Sequence, residues 1–306
     1  MKTNSLMINK THKMYIKGAF VRSESNRTLK LNLGGEIKNI PYSSRKDLRN
    51  AVEASKAGFK KFSSATAYNR GQILYRMAEM LSDRFSEALD IVAEQYSSWS
   101  GDEVKKPLKP EEEIQKVIDR IIWYAGWSDK FGPLYSSLNP VVSPMLNFTH
   151  WLPMGNVCVV PGGNASLLST LSLILPVIVS GNSCVVLMNY QQGPLATFLS
   201  ELFHTSDVPA GVVNILTGKP EEVLEVYSEH KEINAVFTSN LNKQEEKTIR
   251  MLATSNLKRV HHLNNDTLDS WKDDEKSQSP EMILNFCEAK TVWHPIGCSI
   301  GQSSSY

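Results

Sequence analysis

The chain has 306 residues, 41% of them hydrophobic and 21% charged, with a net charge of +1. That is the balance of an ordinary globular protein, long enough for a sizeable core and one or two domains. It offers no global field to recruit nucleic acid or an acidic membrane, and its longest apolar run, Leu167 to Val179, falls short of the ~20 residues that span a bilayer.

The N-terminal MKTNSLMINKTHK has no apolar stretch of the kind an export signal needs, so a cytoplasmic location is expected. Residues 14–20 read as a short strand, and 29–40 as a strand pair broken at Gly34-Gly35. The spacing of Leu48, Ala51, Val52, Ser55 and Phe59 predicts a helix over 44–62. Two amphipathic helices follow, over 68–80 and 82–96, with Leu74, Met77, Ala78 and Leu81 on one stripe. Pro107 and Pro110 open another that runs to Trp127; Glu111, Glu112 and Glu113 suit its first turn, where the helix dipole favours carboxylates. Residues 138–151 read as an exposed hairpin or arm.

Residues 151–218 are the most informative, reading strand, turn, helix, strand, helix, strand. Helix 167–179 is apolar all round and should be buried. Strand 183–188 is a continuous apolar run, as in a parallel sheet covered on both faces. Helix 195–203, strand 212–216, helix 220–229 and strand 235–238 continue the alternation. The expected fold class is α/β, an open Rossmann-like parallel sheet with flanking helices, occupying residues 1–263. Residues 264–281 are polar and aperiodic and read as a loop or disordered linker, 282–296 as a last strand, and 297–306 as a loose tail. Cys158, Cys184, Cys287 and Cys298 form no CxxC pair, so reduced thiols and no metal site are expected.

Five segments resemble the aldehyde dehydrogenase family in order and spacing. They are Asn69-Arg70-Gly71 with its helix, and Tyr124-Ala125-Gly126-Trp127-Ser128-Asp129-Lys130, close to the family's YAGWxDK. Pro153-Met154-Gly155 follows, then Pro209-Ala210-Gly211-Val212-Val213-Asn214, and finally Thr217-Gly218. The resemblance implies the family's cofactor-domain fold with an oligomerisation arm at about 138–151. Cys287-Glu288-Ala289-Lys290-Thr291-Val292 is similar to the family's C-terminal oligomerisation strand, so the linker would stand where the catalytic domain belongs, leaving that domain largely absent.

Aldehyde oxidation requires a thiolate, donors for the oxyanion, a base for the deacylating water and a nicotinamide. The resemblance places the oxyanion asparagine at Asn164, whose competing role is N-cap of the next helix. The family's flanking Trp is Gly163. Its ribose-binding Lys and Glu are missing from Leu187-Met188-Asn189-Tyr190-Gln191, and its pyrophosphate-facing Gly is Ser239. The stretch of the general base contains His261, His262 and Leu263; leucine accepts no proton. Adjacent histidines on a strand face opposite ways, one expected at the surface and one in packing. Cys298 lies beyond the family's terminus and reads as a tail thiol, not a nucleophile. Pro161, Gly162, Asn164 and Gly218 are left as remnants of a cofactor site, with no confident catalytic residue. The expectation is a non-catalytic structural or regulatory subunit without cofactor, paired with itself or a full-length aldehyde dehydrogenase. It is similar in this to the degenerate second module of family-16-type aldehyde dehydrogenases. The alternatives are an NAD(P)-dependent oxidoreductase of residual or altered activity, and a binding module without chemistry.

Overall fold

Lys17 and Gly18, both at positive φ (55° and 76°), make the tight turn between β1 (Met14–Ile16) and β2 (Ala19–Val21). The single strand expected there is therefore a hairpin. This is a computed structural model that describes residues 10–99, 108–264 and 268–296. A second hairpin, β3 (Thr28–Leu33) and β4 (Glu36–Pro41), turns at Gly34-Gly35 as the sequence predicts. Helix α1 (Arg45–Phe62) starts in a capping box: Ser44 accepts from the Asp47 backbone, and Asp47 accepts from the Ser44 backbone. Helices α2 (Ala67–Asp83), α3 (Phe85–Ser98), α4 (Pro110–Trp127) and α5 (Phe131–Tyr135) follow.

The chain then enters β5 (Ser137–Asn139), β6 (Met145–Pro153) and β7 (Asn156–Val160). From β7 onward strands and helices alternate: α6 (Leu167–Val179), β8 (Ser183–Asn189), α7 (Gly193–Thr205), β9 (Val213–Gly218), α8 (Pro220–Glu229), β10 (Ala235–Ser239), α9 (Lys243–Ala253) and β11 (Arg259–Leu263). The main sheet has the order β11-β10-β7-β8-β9-β1-β2, parallel from β11 to β9 and closed by the antiparallel first hairpin. One apolar layer joins α2, α4, α6 and α7 to one face of the sheet, and a second joins α1, α8 and α9 to the other. All 13 residues of α6 are buried, which accounts for its lack of a polar stripe.

The last described elements are α10 (Leu268–Lys272), α11 (Asp274–Ser277), α12 (Pro280–Leu284) and β12 (Cys287–Pro295). The polar stretch expected to be a disordered linker is thus helical over most of its described length. Its order has a physical cause. Trp271 is only 2% exposed and joins the main core, and the Ser277 hydroxyl donates to the Trp271 carbonyl at 2.7 Å. From the other side, the buried Arg120 guanidinium donates to Ser172 Oγ at 2.5 Å and meets Asp274 at 3.1 Å. The final strand is also shorter than expected. Ser279 caps α12 with Pro280 at its first position, so 282–284 are helical and extension begins at Cys287. β12 pairs with β6 from Cys287↔Pro153 to Pro295↔Met145, and β5 completes a separate three-stranded sheet. The arm expected at 138–151 is the β5–β6 part of it. Residues 297–306, with Cys298, lie outside the described residues.

Candidate functional site at the sheet switch point

The strand order reverses between β7 and β10, with β8 and β9 on one side and β11 on the other. In open α/β sheets the crevice beyond the carboxyl ends of two such strands is the usual ligand site. Here the two loops touch. A Cβ on Gly162 would lie 2.5 Å from the Asn240 Cβ and 2.9 Å from the Ser239 carbonyl oxygen, so only glycine fits. The Gly162 N–H points at Ser239 Oγ, 3.4 Å away. Asn240 sits at φ 52°, in the left-handed region, and Pro161, Gly162 and Ser239 are all buried. Gly218 lies elsewhere, packed on Tyr42 and Ser43 at the approach to α1.

The turn after β8 is committed to the protein itself. Gln192 Nε2 donates to the carbonyls of Gly162, Gly163 and Ala165 at 3.1, 3.0 and 3.2 Å. Asn189 Oδ1 accepts from the Gln191 N–H at 3.0 Å. Asn164 is exposed in the turn that precedes α6 and does not cap it; the N-cap is Ser166, which accepts from the Ser169 N–H. Glu113 meets this helix end with its carboxyl group. It is fully buried, accepts from the Leu168 N–H at 2.7 Å and receives the Tyr96 hydroxyl. Burial pushes its carboxyl up, while Tyr96 and the α6 N–H groups hold it down. Glu113 was grouped in the sequence with its exposed neighbours. The signal that separates it is its place on one stripe with Val117, Arg120 and Tyr124, all buried.

The remaining candidates do not meet at this site. Cys158 and Cys184 lie inside β7 and β8, and burial pushes both thiols up; the buried Cys287 is pushed up to about 12. The two histidines face opposite ways, as strand geometry requires, but both are half-buried. His261 meets Phe286 edge to face at 5.3 Å between ring centroids, and His262 Nδ1 is 2.8 Å from Thr238 Oγ1. Burial holds His261 below its ordinary value. Among the described residues there is no cluster of three His, Cys, Asp or Glu able to hold a metal, and no helix long and apolar enough to cross a membrane.

A parallel sheet layered by crossover helices, with a switch point between β7 and β10, defines a Rossmann-like α/β protein. The sequence profile of the Aldehyde dehydrogenase family matches residues 20–263, and the chain belongs to that family. It is 24% identical over 277 residues to a D-glyceraldehyde dehydrogenase (NADP(+)) of Thermoplasma acidophilum, covering 89% of this chain and 54% of the relative. It is 27% identical to an aldehyde dehydrogenase of Enchytraeus buchholzi, covering 81% and 49%. Similar folds include an aldehyde dehydrogenase of Bacillus cereus (TM-score 0.73, 21% identity, 83% of this chain and 51% of that one). Another is PnpE in complex with nicotinamide adenine dinucleotide (TM-score 0.73, 22% identity, 83% and 51%). The chain spans about half the length of these relatives.

Proposed function

We propose that this chain is a non-catalytic aldehyde dehydrogenase-type subunit, a cytoplasmic pseudoenzyme that assembles with a second copy or with a full-length aldehyde dehydrogenase. The observation that carries the proposal is the close approach of Gly162 to Ser239 and Asn240, which brings the loops after β7 and β10 together at the crevice where a dinucleotide would lie. NAD(P) does not fit the residues present. Gln192 is turned onto the loop after β7, Asn189 onto its own turn, and neither a carboxylate nor a lysine ends β8 to take a ribose. The described cysteines are buried, with thiols raised away from the thiolate a nucleophile needs.

Assembly is drawn from the three-stranded sheet. Its register places Leu138, Leu146, Phe148, Leu152 and Val292 on one face, and Leu138 is 70% exposed. His150, Glu288, Lys290 and His294 lie on the same face, so its exposed apolar side chains are interspersed with polar and charged ones, a mixture suited to a partner surface. Two measurements test the proposal. Calorimetry with NAD and NADP is expected to show no binding, and light scattering a dimer or a complex with an intact dehydrogenase. A soluble monomer that co-purifies with no dehydrogenase would overturn the assembly role. Residual NAD(P)-dependent oxidation is the competing possibility, favoured by neighbours such as the NAD complex above. It requires NADH absorbance with an aldehyde panel, and loss of that signal in Cys287→Ala or Cys298→Ala.

A further inference from the structure

We propose that Lys116 and Arg120 on α4 form a carboxylate-binding site that Asp274 fills from within, and that α10–α12, the strap carrying Asp274, opens as a unit when a free carboxylate takes its place. Arg120 is only 1% exposed. Its guanidinium donates through Nη1 to Ser172 Oγ at 2.5 Å and through Nε to Gln278 Oε1 at 3.3 Å, and its Nη2 lies 3.1 Å from Asp274 Oδ1. Lys116, one turn earlier on α4, places its Nζ 2.5 Å from Asp274 Oδ2. One carboxylate thus bridges two cations, each oxygen taking one of them.

The cations stand on a long helix of the core, and the anion does not. α10, α11 and α12 have five, four and five residues, and helices so short depend on tertiary contacts for their order. Trp271, Met282 and Ile283 anchor them in the main apolar layer. The remaining hold is polar and outlying: Lys272 lies 3.9 Å from Glu112, and the Tyr135 hydroxyl donates to Glu281 at 2.6 Å. The Asp274 side chain is 46% exposed, so its carboxylate reaches the cations from the solvent side. The position it fills is therefore open to solvent once that side chain is shortened or withdrawn.

A buried guanidinium that loses its carboxylate is strongly disfavoured, so the closed strap depends on Asp274. Lifting the strap returns Arg120 to water, which offsets part of the cost of opening. In the unaltered chain Asp274 fills the position while the strap is closed. A free carboxylate then binds only the open state and shifts the population towards it. The guanidinium fork beside an ammonium suits a planar carboxylate, with one oxygen for each cation.

Hydrogen exchange read by mass spectrometry on the full chain tests this, with sodium formate as the probe and sodium chloride at equal concentration as its control. Asp274→Ala removes the internal carboxylate and leaves room for a small one. Its amides over 268–284 are expected to exchange at least about tenfold faster, while those of β7 to β9 keep their rates. Formate is expected to slow that exchange again, and chloride is not. In the unaltered chain the sign reverses: formate competes with Asp274 and is expected to speed exchange over 268–284. Formate acting no differently from chloride in either chain overturns the site. Exchange in Asp274→Ala that is unchanged, or that rises equally in β7 to β9, overturns the strap. If Asp274→Ala does not fold, Lys116→Met decides: unchanged exchange over 268–284 overturns the proposal. The site is distinct from the three-stranded sheet, so failure here leaves the assembly role untouched.

Discussion

The five residues of β7 and the nine of β12 are both extended chain, and only one of the two strands is enclosed. Every residue of β7 is buried, between β8 and β10 in the sheet and between helices above and below. In β12 only Cys287 is buried; its hydrogen bonds go to β6, and no strand pairs with its other edge among the described residues. The difference is one of completeness. The parallel sheet covers both faces with its own crossover helices, so its stability is internal. The three-stranded sheet leaves an edge of β12 unpaired and one face open, on which Leu138, Leu146 and Leu152 are exposed among polar and charged side chains, so covering that face falls to another surface.

Trp271 tests which side of this division the polar stretch after β11 belongs to. If the stretch is part of the enclosed region, Trp271→Ala should cost about 3–5 kcal/mol in urea unfolding, the range for a large buried aromatic. A cost below about 1 kcal/mol would place the stretch with the outlying sheet instead.

Gly162 probes the enclosed region at its functional edge. Gly162→Ala is expected to cost about 1–3 kcal/mol, because the new methyl collides with the Asn240 Cβ. Asn240→Gly removes that Cβ and suits the left-handed φ of 52°. The double variant should therefore regain much of the loss. Strict additivity in the double-mutant cycle would show that the two loops are not in contact.

How much of this was legible in the sequence follows the same division. The alternation of 151–218 gave the parallel sheet because each strand and helix there is enclosed by its neighbours, so apolar runs map directly onto structure. Trp271 was one large aromatic in an otherwise polar stretch, and local periodicity gave no hint that a single side chain would anchor it. Glu113 and Arg120 lie on the apolar stripe of α4, yet what buries them is contact with α6 and α11, remote in sequence. Asn164 went the other way. Its type and position suit an N-cap, but Ser166 and Ser169 form a capping box two residues later and take the role. The closure of the switch point was half legible. Ser239 announced an obstruction, while the fit of Gly162 against Asn240 needed three dimensions.

His12 extends the comparison to pH. It is buried, its Nδ1 lies 2.8 Å from Thr197 Oγ1, and burial with the nearby Lys38 and Lys10 lowers its pKa to about 4, against the opposing pull of Glu94 and Glu201. Above its ordinary value of 6.5 the ring is neutral folded or unfolded, and its contribution to stability is complete. Between 6.5 and about 4 the unfolded chain takes a proton that the folded chain refuses, so stability falls as pH falls. His12→Gln should flatten this fall by about 2 kcal/mol when urea unfolding is compared at neutral pH and near the lower limit. An unchanged pH dependence would mean that the site admits the charged ring.

The smallest expected effect on folding carries the largest consequence for assembly. Leu138 and Leu146 share the open face of the three-stranded sheet, and both are exposed. Neither is part of the enclosed core, so replacing both by lysine should change the unfolding free energy of the isolated chain by no more than about 0.5 kcal/mol per site. A partner surface seated on that face would then have to bury two ammonium groups, which costs far more than the lost apolar contact. Sedimentation is expected to show the assembled species of the unaltered chain and a monomer for the double variant, with the same circular dichroism. An assembly that survives both lysines would mean that the open face is not the interface. A large loss of stability would instead show that β5 and β6 are held by contacts belonging to the enclosed half.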